Sequence, residues 1–205
     1  EEMNGEGYDS KAWCVDLSDG LTIKRVFSEI SEHFGGIDIL INNAGISRFA
    51  PIDNDDYEIA WHESIAVLLT AHTLTVRAAL PHLRKAKNPR IVNIASTEGL
   101  GATRYGSPYT AAKTGVIGLT RSLAVELGPE KITVNCVCPG PINTGMTSTI
   151  SEEDKAIFAR RRTALRRYAE PEEVAHCTLG LVLPASQYIT GATLPVDGGL
   201  TIRNA

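Results

Sequence analysis

The sequence lacks most of the features that would assign it to a membrane, a nucleic acid or a metal. Its 205 residues contain no apolar run approaching the roughly 20 residues that span a bilayer, and no signal-peptide pattern opens the chain. The net charge of −4 provides no basic footprint for nucleic acid. The five histidines and four cysteines show no ligand spacing. We therefore predict a cytoplasmic protein without a membrane span, a nucleic-acid partner or a metal site.

Two residue clusters suggest chemistry but have simpler explanations. Cys136 and Cys138 alternate on a strand-like run and point to one face, so they fit small core residues better than metal ligands. Five arginines lie at 160–162, 166 and 167. A solvated helix face explains them better than an anion site, and an anionic substrate group is the alternative.

What the sequence does contain is a regular alternation of strand and helix patterns. Hydrophobic residues make up 43% and charged residues 21%, as in a globular chain. The strand at 37–41 is nearly all apolar, which is typical of a parallel sheet covered on both faces. These patterns predict one α/β domain over 1–205, with a doubly wound, mostly parallel sheet and helices on both faces. The predicted strands are 12–15, 37–41, 90–95, 132–137 and 191–196, and the predicted helices are 20–34, 55–85, 107–127, 151–165 and 171–183.

Three residues in the middle of the chain have a spacing that acid-base chemistry can use. Tyr109 and Lys113 lie four positions apart in a predicted helix and share a face. Ser96 follows the predicted strand at 90–95, across a glycine-rich loop from that helix. A nearby ammonium favours the phenolate, so we expect a lowered pKa for Tyr109. A tyrosine–lysine pair at this spacing is, by itself, more often an ordinary surface pair. A catalytic role for it therefore needs support from motifs elsewhere in the chain.

Those motifs lie in an order and at spacings similar to those of a known family. Each follows a predicted strand: Asn42-Asn43-Ala44-Gly45, Ser96, Pro139-Gly140 and Asp197-Gly198-Gly199. Together with Tyr109 and Lys113 they make the whole chain resemble the short-chain dehydrogenase/reductase family, in its shorter single-domain group. Within that group the sequence is similar to 3-oxoacyl reductases and to small alcohol, diol and sugar dehydrogenases.

The resemblance implies a Rossmann-type fold and hydride transfer between NAD or NADP and an alcohol or ketone. Its catalytic residues would be Ser96, which polarises the reacting oxygen, Tyr109, which acts as acid-base residue, and Lys113, which also holds the nicotinamide ribose. The resemblance further implies a substrate lid over 146–165 and a homotetramer formed through the 107–127 helix and the last strand. The cofactor would contact Asp16, Leu17, Asn43, Ala44, Gly45, Tyr109, Lys113, Pro139, Gly140, Ile142 and Thr144.

Several of these residues also have purely structural explanations. Asn42 and Asn43 fit turn residues, Pro139-Gly140 fits a strand stop, and Asp16 fits a helix-entry residue. Gly198-Gly199 is better explained as a structural turn than as a binding site.

Two departures from the family pattern stand out. The family places an asparagine 28 positions before the serine, in a proton relay, and this sequence has Leu68 there. Leucine cannot form hydrogen bonds, so the relay would be missing or rerouted, unless Leu68 is simply a core residue. The glycine-rich turn that opens the family, with its βαβ unit, is also absent from the sequence. We expect a segment of a longer enzyme, with a gap of roughly 14 Å between the strands at 12–15 and 37–41.

One other functional class is compatible with these residues, and a second is disfavoured. A chain with Leu68 in the relay position and no glycine-rich turn fits a non-catalytic binding or oligomerisation member of the family. A sugar-nucleotide epimerase of related fold needs a larger substrate domain than the short segment after Gly199 provides. The residue that would select NAD or NADP is not in the sequence, and the substrate is not indicated.

Overall fold

The computed structural model describes residues 7–204, and within them one parallel sheet organises the chain. Its strands lie side by side in sequence order, and each neighbouring pair is parallel. Their carboxyl ends therefore share one edge, where ligands bind in open α/β sheets. The strands are β1 (Ile39–Asn42), β2 (Arg90–Ile94), β3 (Thr133–Pro139) and β4 (Thr193–Val196).

Six α-helices accompany the strands within the described residues. The first has capping residues at both ends: Asp19 accepts a hydrogen bond from the Leu21 N–H before α1, and Gly35, with a φ of 80°, ends that helix. Pro171 is the first residue of α6, as predicted. The helices are α1 (Gly20–Phe34), α2 (Tyr57–Ile65), α3 (Ala71–Leu83), α4 (Ser107–Leu127), α5 (Glu152–Arg162) and α6 (Pro171–Val182).

Apolar side chains fill both faces of the sheet at its centre. On one face, Ile91 and Val134 pack with Val76 of α3 and Leu127 of α4. On the other face, the core contains Val92, Ile94 and Val137 with Leu181 and Val182 of α6. Each such side chain, when fully buried, stabilises the fold by roughly 1.5–3 kcal/mol. Cys136 and Cys138 are free, fully buried and part of the first face, which confirms them as core residues.

The N-terminal side of the sheet differs from the prediction. Residues 12–15 form no strand. β1 has no partner on its outer edge within the described chain, in agreement with the gap predicted beside it. One face of β1 is also open, because Ile39 and Ile41 are 43% and 46% exposed. The prediction of a strand at 12–15 and of a β1 covered on both faces is therefore wrong for these residues. A strand forms only where a second strand satisfies its N–H and C=O groups, which a local pattern cannot guarantee.

The predicted helix at 55–85 is also interrupted. A π-helical segment, Ala66–Thr70, joins α2 to α3, and Pro81 lies inside the last turn of α3. π-Helical turns are rare and occur often at functional sites. By length and composition alone, Tyr57–Leu83 would suit a membrane span, a property shared by core helices of soluble proteins. Here it contacts α4 and the sheet.

The predicted helix at 151–165 ends earlier than expected. Its start is confirmed, since the Ser151 hydroxyl caps it by accepting the Asp154 N–H at 3.1 Å. The helix stops at Arg162, and Thr163 is extended and fully buried. Arg160, Arg161 and Arg162 are all exposed, which favours the solvated face over an anion site.

Candidate active site

Ser96, Tyr109 and Lys113 form one buried cluster beside the carboxyl end of β2. These residues are 9%, 9% and 4% exposed. Ser96 lies two residues after the end of β2 and caps the short helical turn Thr97–Gly99, its hydroxyl accepting the Glu98 N–H at 3.1 Å. Tyr109 lies in the first turn of α4, and Lys113 lies one turn further on the same face. The structure brings these three residues together, and their catalytic roles stay predictions.

The Lys113 ammonium is fixed between the helix and the strand. Its Nζ donates a hydrogen bond to the Ile94 carbonyl at 2.8 Å and lies 5.7 Å from the centre of the Tyr109 ring. Burial lowers the pKa of Lys113 to about 8, which leaves the amine mostly protonated near neutral pH. The site therefore holds a cation beneath the tyrosine.

The pKa of Tyr109 differs in direction from the sequence prediction. Burial raises the pKa of the phenol, hydrogen bonding from the Ser96 side chain opposes that shift, and the charge of Glu98 adds to it. The prediction of a pKa lowered by Lys113 is therefore wrong for this structure, because loss of water around the phenolate outweighs the favourable interactions. A phenol that keeps its proton at neutral pH is suited to giving a proton to a ketone oxygen.

A buried chain of side-chain hydrogen bonds joins the ends of β1 and β2 to the helices. The Thr75 hydroxyl donates to Asn42 Oδ1 at 2.8 Å, and Asn42 Nδ2 donates to Asn93 Oδ1 at 2.9 Å. Asn93 Nδ2 then donates to the Thr120 hydroxyl of α4 at 3.0 Å. Asn42 is thus a buried strand residue, and its explanation as a turn residue is wrong. The chain of bonds fixes the strand ends that carry the site.

Most of the predicted cofactor residues lie at this same edge of the sheet. Asn43, Ala44 and Gly45 follow β1 and are exposed. Pro139 ends β3, and Ile142 pairs with Ala169 just beyond it. Thr144 caps the next helical turn, Gly145–Thr147.

Structural roles are evident for Asp16, for Gly140 and for the turn at Gly198-Gly199. The Asp16 carboxylate accepts hydrogen bonds from the Ser18 N–H and hydroxyl, in the turn before α1, and Leu17 lies in that turn. These bonds support the helix-entry explanation of Asp16. A Cβ on Gly140 would lie 2.8 Å from the Asp197 Cα, so close packing requires glycine there. Gly198 and Gly199 have φ values of 61° and 82°, as expected of a structural turn.

The polar groups at this edge fit a nicotinamide cofactor. The structure gives Lys113 one hydrogen bond, to Ile94, and an ammonium has three donors, so two remain for ribose hydroxyls. Asn143 Oδ1, between Ile142 and Thr144, is buried without a partner and suits an amide N–H such as that of a carboxamide. The Lys113 Nζ reaches the end of β2 through its bond to Ile94, and Asn143 follows the end of the neighbouring strand β3, so the fit is chemical as well as positional.

Leu68 lies in the π-helical segment and packs against the site. Its side chain is fully buried with Tyr109 and Ala112, and a Cβ on Gly45 would lie 3.2 Å from its Cδ2. This contact supports core packing as the role of Leu68. It offers no hydrogen bond to the tyrosine–lysine pair.

Three further residues at the site have no motif in the sequence. Phe49 stacks on Tyr109, with ring centres 6.0 Å apart, and Glu98 follows Ser96 by two positions. His72 is 2% exposed and its Nε2 has no partner. Burial, and secondarily the charge of Lys113, lowers the pKa of His72 to about 4. The positions of Phe49, Glu98 and His72 near Tyr109 depend on contacts between loops and helices, which the periodicity of the sequence does not indicate.

One cavity of about 240 Å³ lies near this edge, but it is not formed by the catalytic cluster. Its walls come from Pro141, from Val196 to Gly198 and from the 165–173 segment, where Arg167 and Glu173 form a bidentate ion pair. Because Arg167 and Glu173 are paired with each other, neither charge is free to bind a ligand in the cavity.

Comparisons with known proteins agree with this architecture. A family model described as enoyl-(acyl carrier protein) reductase matches residues 2–201. The chain is 37% identical over 187 residues to meso-2,3-butanediol dehydrogenase of Serratia marcescens, covering 91% of this chain and 73% of that protein. It is 37% identical over 203 residues to the 3-oxoacyl-acyl-carrier-protein reductase FabG of Thermotoga maritima, covering 96% and 80%. A blue fluorescent protein from a metagenomic library, solved in complex with NADPH, superposes with a TM-score of 0.89 at 30% identity, covering 97% of this chain and 79% of that one.

These matches define the class of protein. The fold is of the Rossmann type, and the protein is an oxidoreductase that acts on CH–OH groups with NAD or NADP as cofactor. The chain belongs to the short-chain dehydrogenase/reductase family and resembles its 3-oxoacyl reductases and diol dehydrogenases.

Proposed function

We propose that the protein interconverts a secondary alcohol and its ketone, with Tyr109 as the acid-base residue. The observation that carries this proposal is the burial of Tyr109 beside Ser96, with the Lys113 ammonium one turn away. The bound nicotinamide supplies or accepts the hydride. Tyr109 gives a proton to the ketone oxygen during reduction and takes it from the alcohol during oxidation, which balances the reaction.

Ser96 and Lys113 orient the substrate and the cofactor, and Ser96 also stabilises developing charge. Ser96 holds the reacting oxygen beside the phenol and stabilises charge that develops on it. Lys113 keeps one N–H on the Ile94 carbonyl, and its remaining N–H groups hold the ribose hydroxyls. Further cofactor contacts come from Asn43, Ala44, Gly45, Pro139, Gly140, Ile142 and Thr144, with Asp16 and Leu17 at the adenine end.

The assembly around this site is part of the same proposal. Residues 146–165, which include α5, form a lid over the substrate, and the enzyme is a cytoplasmic homotetramer that associates through α4 and β4. The small and exposed residues of α4, Thr114 and Gly118 among them, support close approach of a second helix.

A screen of ketones and alcohols with NADH, NADPH and their oxidised forms tests the activity, followed by absorbance of the reduced nicotinamide. Tyr109→Phe is expected to lower the turnover rate by about 100-fold or more while cofactor binding is retained, because it removes only the proton-transferring oxygen. Quenching of Trp13 and Trp61 fluorescence measures cofactor binding separately. Full activity in the variant would overturn the assignment of Tyr109.

One alternative is a non-catalytic member of the family, because Leu68, at the relay position, offers no hydrogen bond to the tyrosine–lysine pair. Cofactor binding without turnover of any substrate, or no binding at all, would support it.

A further inference from the structure

The mouth of the site beside Tyr109 has an apolar aromatic wall. The Phe49 ring lies 6.0 Å from the Tyr109 ring, centre to centre, with only 22° between the planes. Tyr109 is 9% exposed, whereas Phe49 is 47% exposed. Phe49 therefore covers the acid-base residue and leaves about half of its own surface open to whatever approaches it.

The position of this wall is set by the backbone around it. The Ala50 N–H donates to the Tyr105 carbonyl at 2.9 Å, which ties the segment after β1 to the loop before α4. A Cβ on Gly106 would lie 2.8 Å from Phe49 Cε1, so the ring rests directly on that loop. A ring held in this way is a preformed contact surface for a flat apolar group.

Besides the Lys113 ammonium, a fixed carboxylate lies next to the site. Glu98, two residues after Ser96, accepts hydrogen bonds from the Thr103 hydroxyl at 2.7 Å and the Thr110 hydroxyl at 3.2 Å. These bonds fix its carboxylate, whose charge is felt at the Tyr109 hydroxyl. Arg104, the one cation of the 97–106 loop, lies with its guanidinium 4.4 Å from the centre of the Tyr105 ring.

We propose that the substrate is a neutral alcohol or ketone whose reacting carbon carries an aromatic group, packed flat on Phe49, and that Glu98 disfavours substrates with a carboxylate next to that carbon. The inference rests on the proposed function. In the reduction, the C=O bond accepts a hydride at carbon from NADH or NADPH and a proton at oxygen from Tyr109, leaving the alcohol and the oxidised cofactor.

Three ketones separate the parts of this proposal: acetophenone is neutral and aromatic, 2-butanone is neutral and small, and benzoylformate is aromatic with a carboxylate on the reacting carbon. We expect kcat/KM to favour acetophenone over 2-butanone by about tenfold, the size of one stacked ring contact together with its buried area. Phe49→Ala is expected to remove that ratio and Phe49→Tyr to keep it. A ratio within one enzyme preparation does not depend on the folded fraction.

Glu98→Gln is expected to raise kcat/KM for benzoylformate relative to acetophenone by several-fold, because it removes one like charge from the site. Tyr188→Ala is the matched control for Phe49→Ala. Tyr188 is fully exposed, and its neighbours Ile189 and Thr190 form hydrogen bonds near the start of β3, at the opposite edge of the sheet.

The outcomes separate this inference from the proposed function. Turnover of 2-butanone at least as good as that of acetophenone would overturn the inference alone, as would a Phe49→Ala enzyme with an unchanged ratio. Preference for benzoylformate, lost in Arg104→Ala, would also overturn it by showing an anion site at Arg104. Absence of turnover for every ketone with both cofactors would overturn the proposed function and the inference with it.

Discussion

β1 and β2 lie side by side and carry motifs of one site, yet they are packed in opposite ways. Every residue of β2 is buried, while β1 alternates between exposed and buried positions. The catalytic cluster lies beside β2, where the sheet is buried on both faces. The residues predicted to contact the adenine, Asp16 and Leu17, precede β1 in the chain, and β1 has an open face. Packing therefore fixes the reacting groups more firmly than the N-terminal part of the predicted cofactor site.

A pair of matched substitutions gives the largest expected contrast between the two strands. Ile91 is fully buried in β2 and Ile41 is 46% exposed in β1. We expect Ile91→Ala to lower the free energy of unfolding by about 2–5 kcal/mol, and Ile41→Ala to change it by no more than about 0.5 kcal/mol. Urea unfolding of the two variants measures both values. Equal losses would show that the open face of β1 is covered in solution.

The second prediction concerns His72, which lies on α3 against the packed half. Its pKa is about 4 in the folded protein, compared with an ordinary value of 6.5, because burial disfavours the charged ring. As pH falls from 6.5 to 4, the unfolded chain binds the proton first, so stability rises with pH across that window and is fully present above it. We expect this group alone to remove about 3 kcal/mol by pH 4.

His72→Leu should reduce that acid-dependent loss, and His62→Leu, at an exposed position of α2, should leave it as it is. Chemical denaturation at several pH values between 4 and 7 measures the slope. If the slope is the same in both variants, His72 is already protonated or open to water in the folded state.

The buried hydrogen bonds between the strands provide the third prediction. Thr120 is fully buried and its hydroxyl accepts from Asn93 Nδ2 at 3.0 Å. Thr120→Val leaves that donor without its partner, so we expect a loss of about 1–3 kcal/mol in the free energy of unfolding. Thr178→Val is the control, because the Thr178 hydroxyl bonds only to the Val174 carbonyl of its own helix. A loss no greater than that of the control would mean that water or another group satisfies Asn93.

The same comparison explains what the sequence could and could not predict. Tyr109 and Lys113 were predictable because helical spacing puts them on one face, and Ser96 because an apolar run ends there. Phe49, Glu98 and His72 were missed because their closeness to Tyr109 depends on contacts between loops and helices. The direction of the Tyr109 pKa shift was predicted wrongly, since its main cause is burial, which spacing does not reveal. The strand at 12–15 was predicted wrongly because β-pairing is non-local.

The smallest expected effect tests the proposed homotetramer on the outer face of α4. Gly118 is an exposed helical residue, and a Cβ there meets nothing within 4 Å in the single chain. In an isolated chain Gly118→Ala should therefore stabilise the helix by about 0.8–1 kcal/mol. If α4 packs against a second copy, the added methyl group crowds that contact, and Gly118→Ala should raise the melting temperature only in dilute protein. We expect this dependence on concentration, measured by melting the variant at low and high protein concentration. Gly180→Ala, at a helical position of α6 that also has no neighbour within 4 Å, should stabilise equally at both concentrations. Identical behaviour of the two variants would argue against α4 as an interface.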